Sequence, residues 1–436
     1  MKPGKRKKEK GVVVSGQWSV VRKSKRPKSE VRSQESEDGK PATEVSFPER
    51  EAVEGGSPKA NPQPATRNPK AWGMEQRAWC IRLFVLVAQL FSSCSESPVD
   101  TVYFNFSGDH GVYIVNEGNF MYGNSSLSFY NPNTKRVYNQ VFQARNGVPL
   151  GDVAQSMNIW KNLGFIVVNN SGKIYVVDSQ TAEFKGSISG LSSPRYVHVV
   201  NSEKAYVTDL YARKITIFDP ATFQVTGSIP VGNSNSEFNQ HSTEQMIPYK
   251  NKIFINCWSY DNKILVINSE TDQLVDSIEV FKQPNSMVID HDNKLWVLSD
   301  GGFEGSPFGY ENAGLLKIDA ETREVERTFR FEKNDHPLNL CINPTKDTVY
   351  FLNKHVWKMA VTEKSLPEKP FIESKYTSLY GGFFSLAIDP ANSDVYVGDA
   401  IDHRQNGLIY RYDASGKLID SFKVGISPGD FAFITE

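Results

Sequence analysis

Ala205-Tyr206-Val207-Thr208-Asp209-Leu210-Tyr211-Ala212-Arg213-Lys214-Ile215-Thr216-Ile217-Phe218-Asp219-Pro220 is the stretch that decides the fold. Tyr206-Val207-Thr208 is β-branched and aromatic, residues 209–213 form a polar turn, and residues 215–218 alternate again before Asp219-Pro220 stops the pattern. That is the outline of a hairpin. The chain writes it repeatedly. Phe165-Ile166-Val167-Val168 with residues 173–178 is a second copy, and Ile253-Phe254-Ile255 with residues 263–268 a third. Looser copies begin at Val112-Tyr113-Ile114, Leu295-Trp296-Val297, Val349-Tyr350-Phe351 and Val395-Tyr396-Val397. Aligning Tyr113, Ile166, Tyr206, Phe254, Trp296, Tyr350 and Tyr396 gives seven units. Their spacing of roughly 40 to 54 residues is the period of four-stranded propeller blades. Period-two alternation of β-branched and aromatic residues fits a helical solenoid poorly. The expected fold is all-β: a seven-bladed β-propeller with four-stranded antiparallel blades.

A propeller of this size uses more than 300 residues as one domain, so length does not count domains here. Hydrophobic residues at 39% and aromatics at 12% suffice for a large core. The formal charge of −1 resolves into +8 over residues 1–73, +1 over 74–93 and −10 over 94–436. An acidic body lacks the Lys/Arg surface that phosphate neutralisation needs, which argues against nucleic acid as a partner. Four cysteines are too few for a disulfide framework. Cys257 and Cys341 fall in different units and read as buried thiols. No CxxC or His-rich spacing marks a zinc motif.

Residues 1–73, poor in hydrophobics and rich in Lys, Ser, Pro and Glu, have the composition of a disordered segment. Within them Lys5-Arg6-Lys7-Lys8 matches a localisation or nucleic-acid patch by pattern alone. Met74 reads as a second start. Arg77 and Arg82 supply a positive region and Leu83-Phe84-Val85-Leu86-Val87-Ala88 an apolar one, followed by Ser92-Ser93 before Cys94. The apolar run is too short to span a bilayer as a helix. Residues 74–93 are therefore expected to be a signal peptide and residues 94–100 a tether, with the propeller at 101–436. The residue 101–106 strand and the final run at 430–434 are expected to share or flank the closing blade, since a ring must join its ends. Where the copies stretch, residues 233–242, the Gly-rich aromatic stretch 300–314 and residues 362–380 read as long loops, the usual carriers of binding.

Several runs belong together: Val115-Asn116-Glu117-Gly118-Asn119-Phe120, residues 149–157, Val168-Asn169-Asn170-Ser171-Gly172, Ser193-Pro194-Arg195-Tyr196, Ser242-Thr243-Glu244-Gln245-Met246, Cys257-Trp258-Ser259-Tyr260-Asp261-Asn262, Gln283-Pro284-Asn285-Ser286 and Gly398-Asp399-Ala400-Ile401-Asp402. They resemble the YncE-like propeller lipoproteins of Gram-negative bacteria, in the branch that includes BtuG-type cell-surface cobalamin-binding proteins. Leu90-Phe91-Ser92-Ser93-Cys94 likewise resembles a bacterial lipobox, with Phe91 where Leu is usual. The resemblance implies lipidation at Cys94, an outer-membrane lipoprotein facing the cell surface, and capture of a corrinoid for a TonB-dependent outer-membrane transporter. It implies no cofactor beyond the corrinoid as ligand.

Asn169, Asn170, Asp209, Tyr211, Trp258, Tyr260, Asp300 and Asp399 follow the inner strands of successive units, so a propeller gathers them on one face. Such amides, carboxylates and rings suit a large flat ligand with an amide rim. Asx residues there also cap turns on their own backbone; Trp258 and Tyr260 are not needed for a turn. Arg195 is either a ligand contact or a surface ion-pair member. A second reading sets Glu117, Asn256 and Asp300 around a Ca²⁺-like ion, as in propeller hydrolases. Against it, His241, His336 and His403 stand isolated, as surface or packing histidines, and there is no GxSxG, Walker or dinucleotide glycine pattern. The expectation is a binding protein with no catalytic or metal-ligating residues. A protein–protein platform or adhesin remains the alternative, since fold alone does not separate the two.

Overall fold

A computed structural model describes residues 111–232, 241–376 and 382–434, together with a short antiparallel pair, Val13–Val14 and Gln17–Trp18. Apart from that pair, the expected extension (1–73), signal segment (74–93), Cys94 with its tether and the strand at 101–106 lie outside the described residues. So do residues 233–240 of the loop expected at 233–242.

Seven antiparallel sheets follow one another around a ring. From blade one to blade seven the innermost strands are Pro428–Ile434, Ala154–Trp160, Pro194–Asn201, Thr243–Tyr249, Pro284–Ile289, Leu338–Ile342 and Phe383–Ile388. Each touches the next, and the seventh returns to the first. The second strands, in the same order, are Gly111–Asn116, Leu163–Val168, Lys204–Asp209, Lys252–Cys257, Lys294–Ser299, Thr348–Asn353 and Val395–Asp399. The ring closes by pairing Pro428–Ile434 with Gly111–Asn116, from Pro428↔Asn116 to Ile434↔Gly111. The C-terminal half of the expected closure is therefore present, with 111–116 as its partner.

Among the described residues six blades have four strands and blade six has three. The reason is local. Pro367-Glu368-Lys369-Pro370 removes two ladder donors where a fourth strand would run, and only the isolated bridge Val356↔Ile372 forms.

Blade packing explains the repeat. Tyr113, Phe165, Tyr206, Phe254, Trp296, Tyr350 and Tyr396 are all fully buried on second strands. Each packs among residues of the following blade, Tyr396 returning to blade one. The sequence alignment placed Ile166 in blade two's position. A one-residue slip turns a strand residue to the other face, and Ile166 instead packs backward against blade one. A second repeat lies in the outer hairpins. Asn131, Asp178, Asp219, Asn268 and Asp319 each accept the backbone N–H groups two and three residues on, closing an Asx turn that ends in Thr. The residue after each Thr, Lys135, Ala182, Phe223, Asp272 or Arg323, is left-handed. Among the described residues no helix is long and apolar enough to cross a membrane.

Candidate functional site

Two backbone positions in each blade point toward the same end of the ring: the residue after the second strand and the residue before the innermost strand. At this end a funnel of about 190 Å³ opens. Glu117, Asn169, Leu210 and Trp258 line it from the first position in blades one to four, and Ser427, Val153, Ser193 and Gln283 from the second in blades one, two, three and five. Phe120, Tyr211, Tyr260 and Phe303 add rings to the wall. Val153, Gln283 and Ser427 hold φ of 56°, 55° and 52°. That left-handed backbone is costly for a non-glycine residue, most of all for a β-branched one. All three residues line the opening.

The sequence-predicted residues divide. Asn169, Asn170, Tyr211, Trp258 and Tyr260 come together in the funnel. Asn169 is buried, its Nδ2 donating to Ser193 Oγ (2.8 Å) and Pro194 O (3.1 Å). Asn170 donates to Asp152 Oδ2. Tyr211 is 59% exposed at the rim. Trp258 is held from behind, its Nε1 donating to Asp300 Oδ2 at 3.2 Å. Asp300 thus supports the wall rather than lining it. It also accepts Gly302 N–H at 2.8 Å, and burial pushes its carboxyl up to about 6. Asp209 and Asp399 serve turns: Asp209 accepts four backbone N–H groups, from Ser192, Ser193, Tyr211 and Ala212, and Asp399 accepts that of Ile401.

Arg195 is neither on the surface nor in the funnel lining. It is 5% exposed on the innermost strand of blade three. Its Nε donates to both oxygens of Glu244 (2.8 and 2.9 Å) and its Nη1 to Gln155 Oε1 (2.5 Å). Glu117 and Asp430 share its field. Burial pushes Glu117 up to about 8, Arg195 opposing and Asp430 and Glu244 adding to the rise. Burial also pushes Asp430 up to about 7, against the Met157 N–H it accepts at 3.0 Å. Gly429 makes room for this: a Cβ there would meet Glu117 Oε1 at 2.5 Å. The axis beneath the funnel therefore sets three carboxyl groups against one guanidinium.

Sequence reasoning missed several lining residues. Gln283 stood only within the run Gln283-Pro284-Asn285-Ser286, with no ligand role assigned. It is 4% exposed, and among the described residues no group donates to its Oε1. The signal was its place directly before Pro284 at an innermost-strand start. His403, expected as an isolated histidine, lines the funnel and pairs through Nδ1 with Ser427 Oγ at 2.9 Å. His336 is exposed. His241 is buried and pairs with Asp261, with Nδ1 to Oδ2 at 2.6 Å. Of the Ca²⁺-like trio, Asp300 accepts hydrogen bonds from Trp258 and Gly302, and Asn256 is fully buried, its Nδ2 donating to Pro284 O.

Residues 110–426 match the family described as a domain of unknown function, DUF5074. The chain belongs to the DUF5074 family. No curated protein matches it in sequence. Among solved structures, this DUF5074 propeller is similar to a quinonprotein alcohol dehydrogenase-like protein from Bacteroides thetaiotaomicron. Identity there is 16% and the TM-score 0.58, with 76% of this chain and 79% of that one covered. It is also similar to a protein from Lactobacillus plantarum, at 13% identity and TM-score 0.53, covering 75% of this chain and 99% of that one. At such identities the likeness establishes the propeller fold of the DUF5074 chain and nothing finer.

Proposed function

We propose that this propeller captures a ligand on its funnel face without transforming it, and that the ligand is a corrinoid. The observation that carries the reading is the buried Oε1 of Gln283, which has no donor among the described residues, in a funnel that Phe120, Tyr211, Trp258, Tyr260 and Phe303 also line. A buried acceptor left unpaired is costly, and a ligand N–H relieves that cost. Enclosing sites for small molecules usually measure about 300–1,000 Å³. A funnel of about 190 Å³ admits only an edge of a large ligand. The rest of a flat macrocycle would lie across the exposed rim of Phe120, Met121, Tyr122 and Tyr211. An amide-rimmed corrinoid supplies both the edge donors and the broad face. Lipidation at Cys94 would hold the protein at the outer membrane, and a TonB-dependent transporter would receive the ligand.

The same rim favours one competing reading. Phe120-Met121-Tyr122 is a run of three exposed apolar residues, a patch type that also serves protein docking. Isothermal titration of the full chain with cyanocobalamin separates the two. The expected result is near-stoichiometric binding that weakens at least tenfold in Trp258→Ala and in Tyr260→Ala. Absence of heat and of retained colour after desalting would remove the corrinoid and leave the docking reading.

A further inference from the structure

Blade four holds a cluster that the funnel does not use. His241 leads into its innermost strand, Cys257 ends its second strand, and Asp261 lies in the turn toward its third. All three are buried, at 9%, 0% and 2% exposure. One imidazole nitrogen, the thiol sulfur and one carboxylate oxygen all lie within 4.8 Å of one another. Among the described residues no other three His, Cys, Asp or Glu side chains do so. Asp261 is fixed in place: Oδ2 contacts His241 Nδ1 at 2.6 Å and Oδ1 accepts Asn262 N–H at 2.7 Å. A cysteine nucleophile is a poor account of the trio, since the Cys257 sulfur has no exposure through which a substrate could reach it.

We propose that His241, Cys257 and Asp261 bind a zinc ion. Nitrogen, sulfur and oxygen donors together suit a borderline-soft dication, and three protein donors leave a fourth position for water. On binding, the Cys257 S–H bond breaks and the His241–Asp261 hydrogen bond opens; the sulfur, an imidazole nitrogen and a carboxylate oxygen take the metal, and the thiol proton leaves to solvent. The consequence is mechanical. Trp258 and Tyr260 sit between two of the ligands, and Tyr260 holds φ 54°, a backbone state that needs support. The turn is tied already by Trp258 N–H to Ser242 O (2.9 Å) and Gln283 N–H to Asp261 O (2.8 Å). Zinc would fix both ends of the segment that carries the aromatic wall. Zinc uptake does not depend on what the funnel binds, so this inference and the corrinoid reading fail separately.

The test uses the full chain, stripped with a chelator, reloaded with Zn²⁺ or Co²⁺ and desalted. The expected result is one zinc per chain, a rise in melting temperature on loading, and a thiolate-to-cobalt charge-transfer band. Cys257→Ser and His241→Gln should each lose the metal and the band, while Cys341→Ser keeps both. His241→Gln, at the less buried ligand, guards against a Cys257→Ser protein that fails to fold. A stripped wild-type chain that retains no zinc overturns the site. So does metal, with its cobalt band, that survives both ligand variants.

Discussion

Glu117 and Asp430 make the channel axis a pH-dependent component of stability. Their ordinary values are 4.5 and 3.8, and burial raises them to about 8 and about 7. An acid whose pKa is higher in the folded state holds its proton there while the unfolded chain has already released it. The stabilisation is complete below the unfolded values and is lost as pH rises through about 7 to 8. The melting temperature should therefore fall between about pH 5 and about pH 8.5, and Glu117→Gln combined with Asp430→Asn should flatten that fall. An unchanged slope in the double variant would mean that the axis carboxyls are ionised in the fold. This axis was half legible in the sequence. Arg195 stood out as a charge, but its burial against Glu244 depends on the ring bringing blades three and four together, which no local pattern encodes. Gln283 was hidden for the same reason: its unpaired carbonyl is a fact about what surrounds it.

At the level of the strand, the sequence carries most of its own account. The second strands were readable because each sets an aromatic in a β-branched run, and the structure sends each ring into the next blade. Where two large residues adjoin, as in Phe165-Ile166, periodicity alone cannot say which faces forward, and the neighbouring blade decides. The two positions should respond differently. Phe165→Ala should cost about 3–5 kcal/mol and Ile166→Val about 0.5–1.5 kcal/mol in urea denaturation; a Phe165→Ala cost as small as that of Ile166→Val would contradict the burial of the Phe165 ring between blades two and three. The outer hairpins were legible only as stops. Asp219-Pro220 marked an end, whereas the Asx turn recurring in five blades becomes visible through its hydrogen bonds. Blade six lost its outer strand to a Pro-rich run that had read only as a long loop.

For the whole molecule, the ring depends on one strand. Pro428–Ile434 supplies the innermost strand of blade one and touches the innermost strands of blades two and seven. Deleting residues 428–436 should abolish the cooperative melt and send the chain to aggregate on size exclusion, because Gly111–Asn116 would present an unpaired edge; a monomer with an intact melt would show that blade closure is dispensable. The seven-fold architecture was legible because repetition averages out local ambiguity. The identity of the ligand was not, because it depends on loops that differ from blade to blade.

That closure also orders events in time. The first blade cannot finish until the last segment of the chain arrives, so its two ends must find each other across more than 300 intervening residues. Pairing over such a separation is slow. Throughout synthesis the leading blade waits with one edge bare, as a partly built protein exposed to misassembly. A chain organised in this way gains from being kept extended until residues 428–434 have emerged.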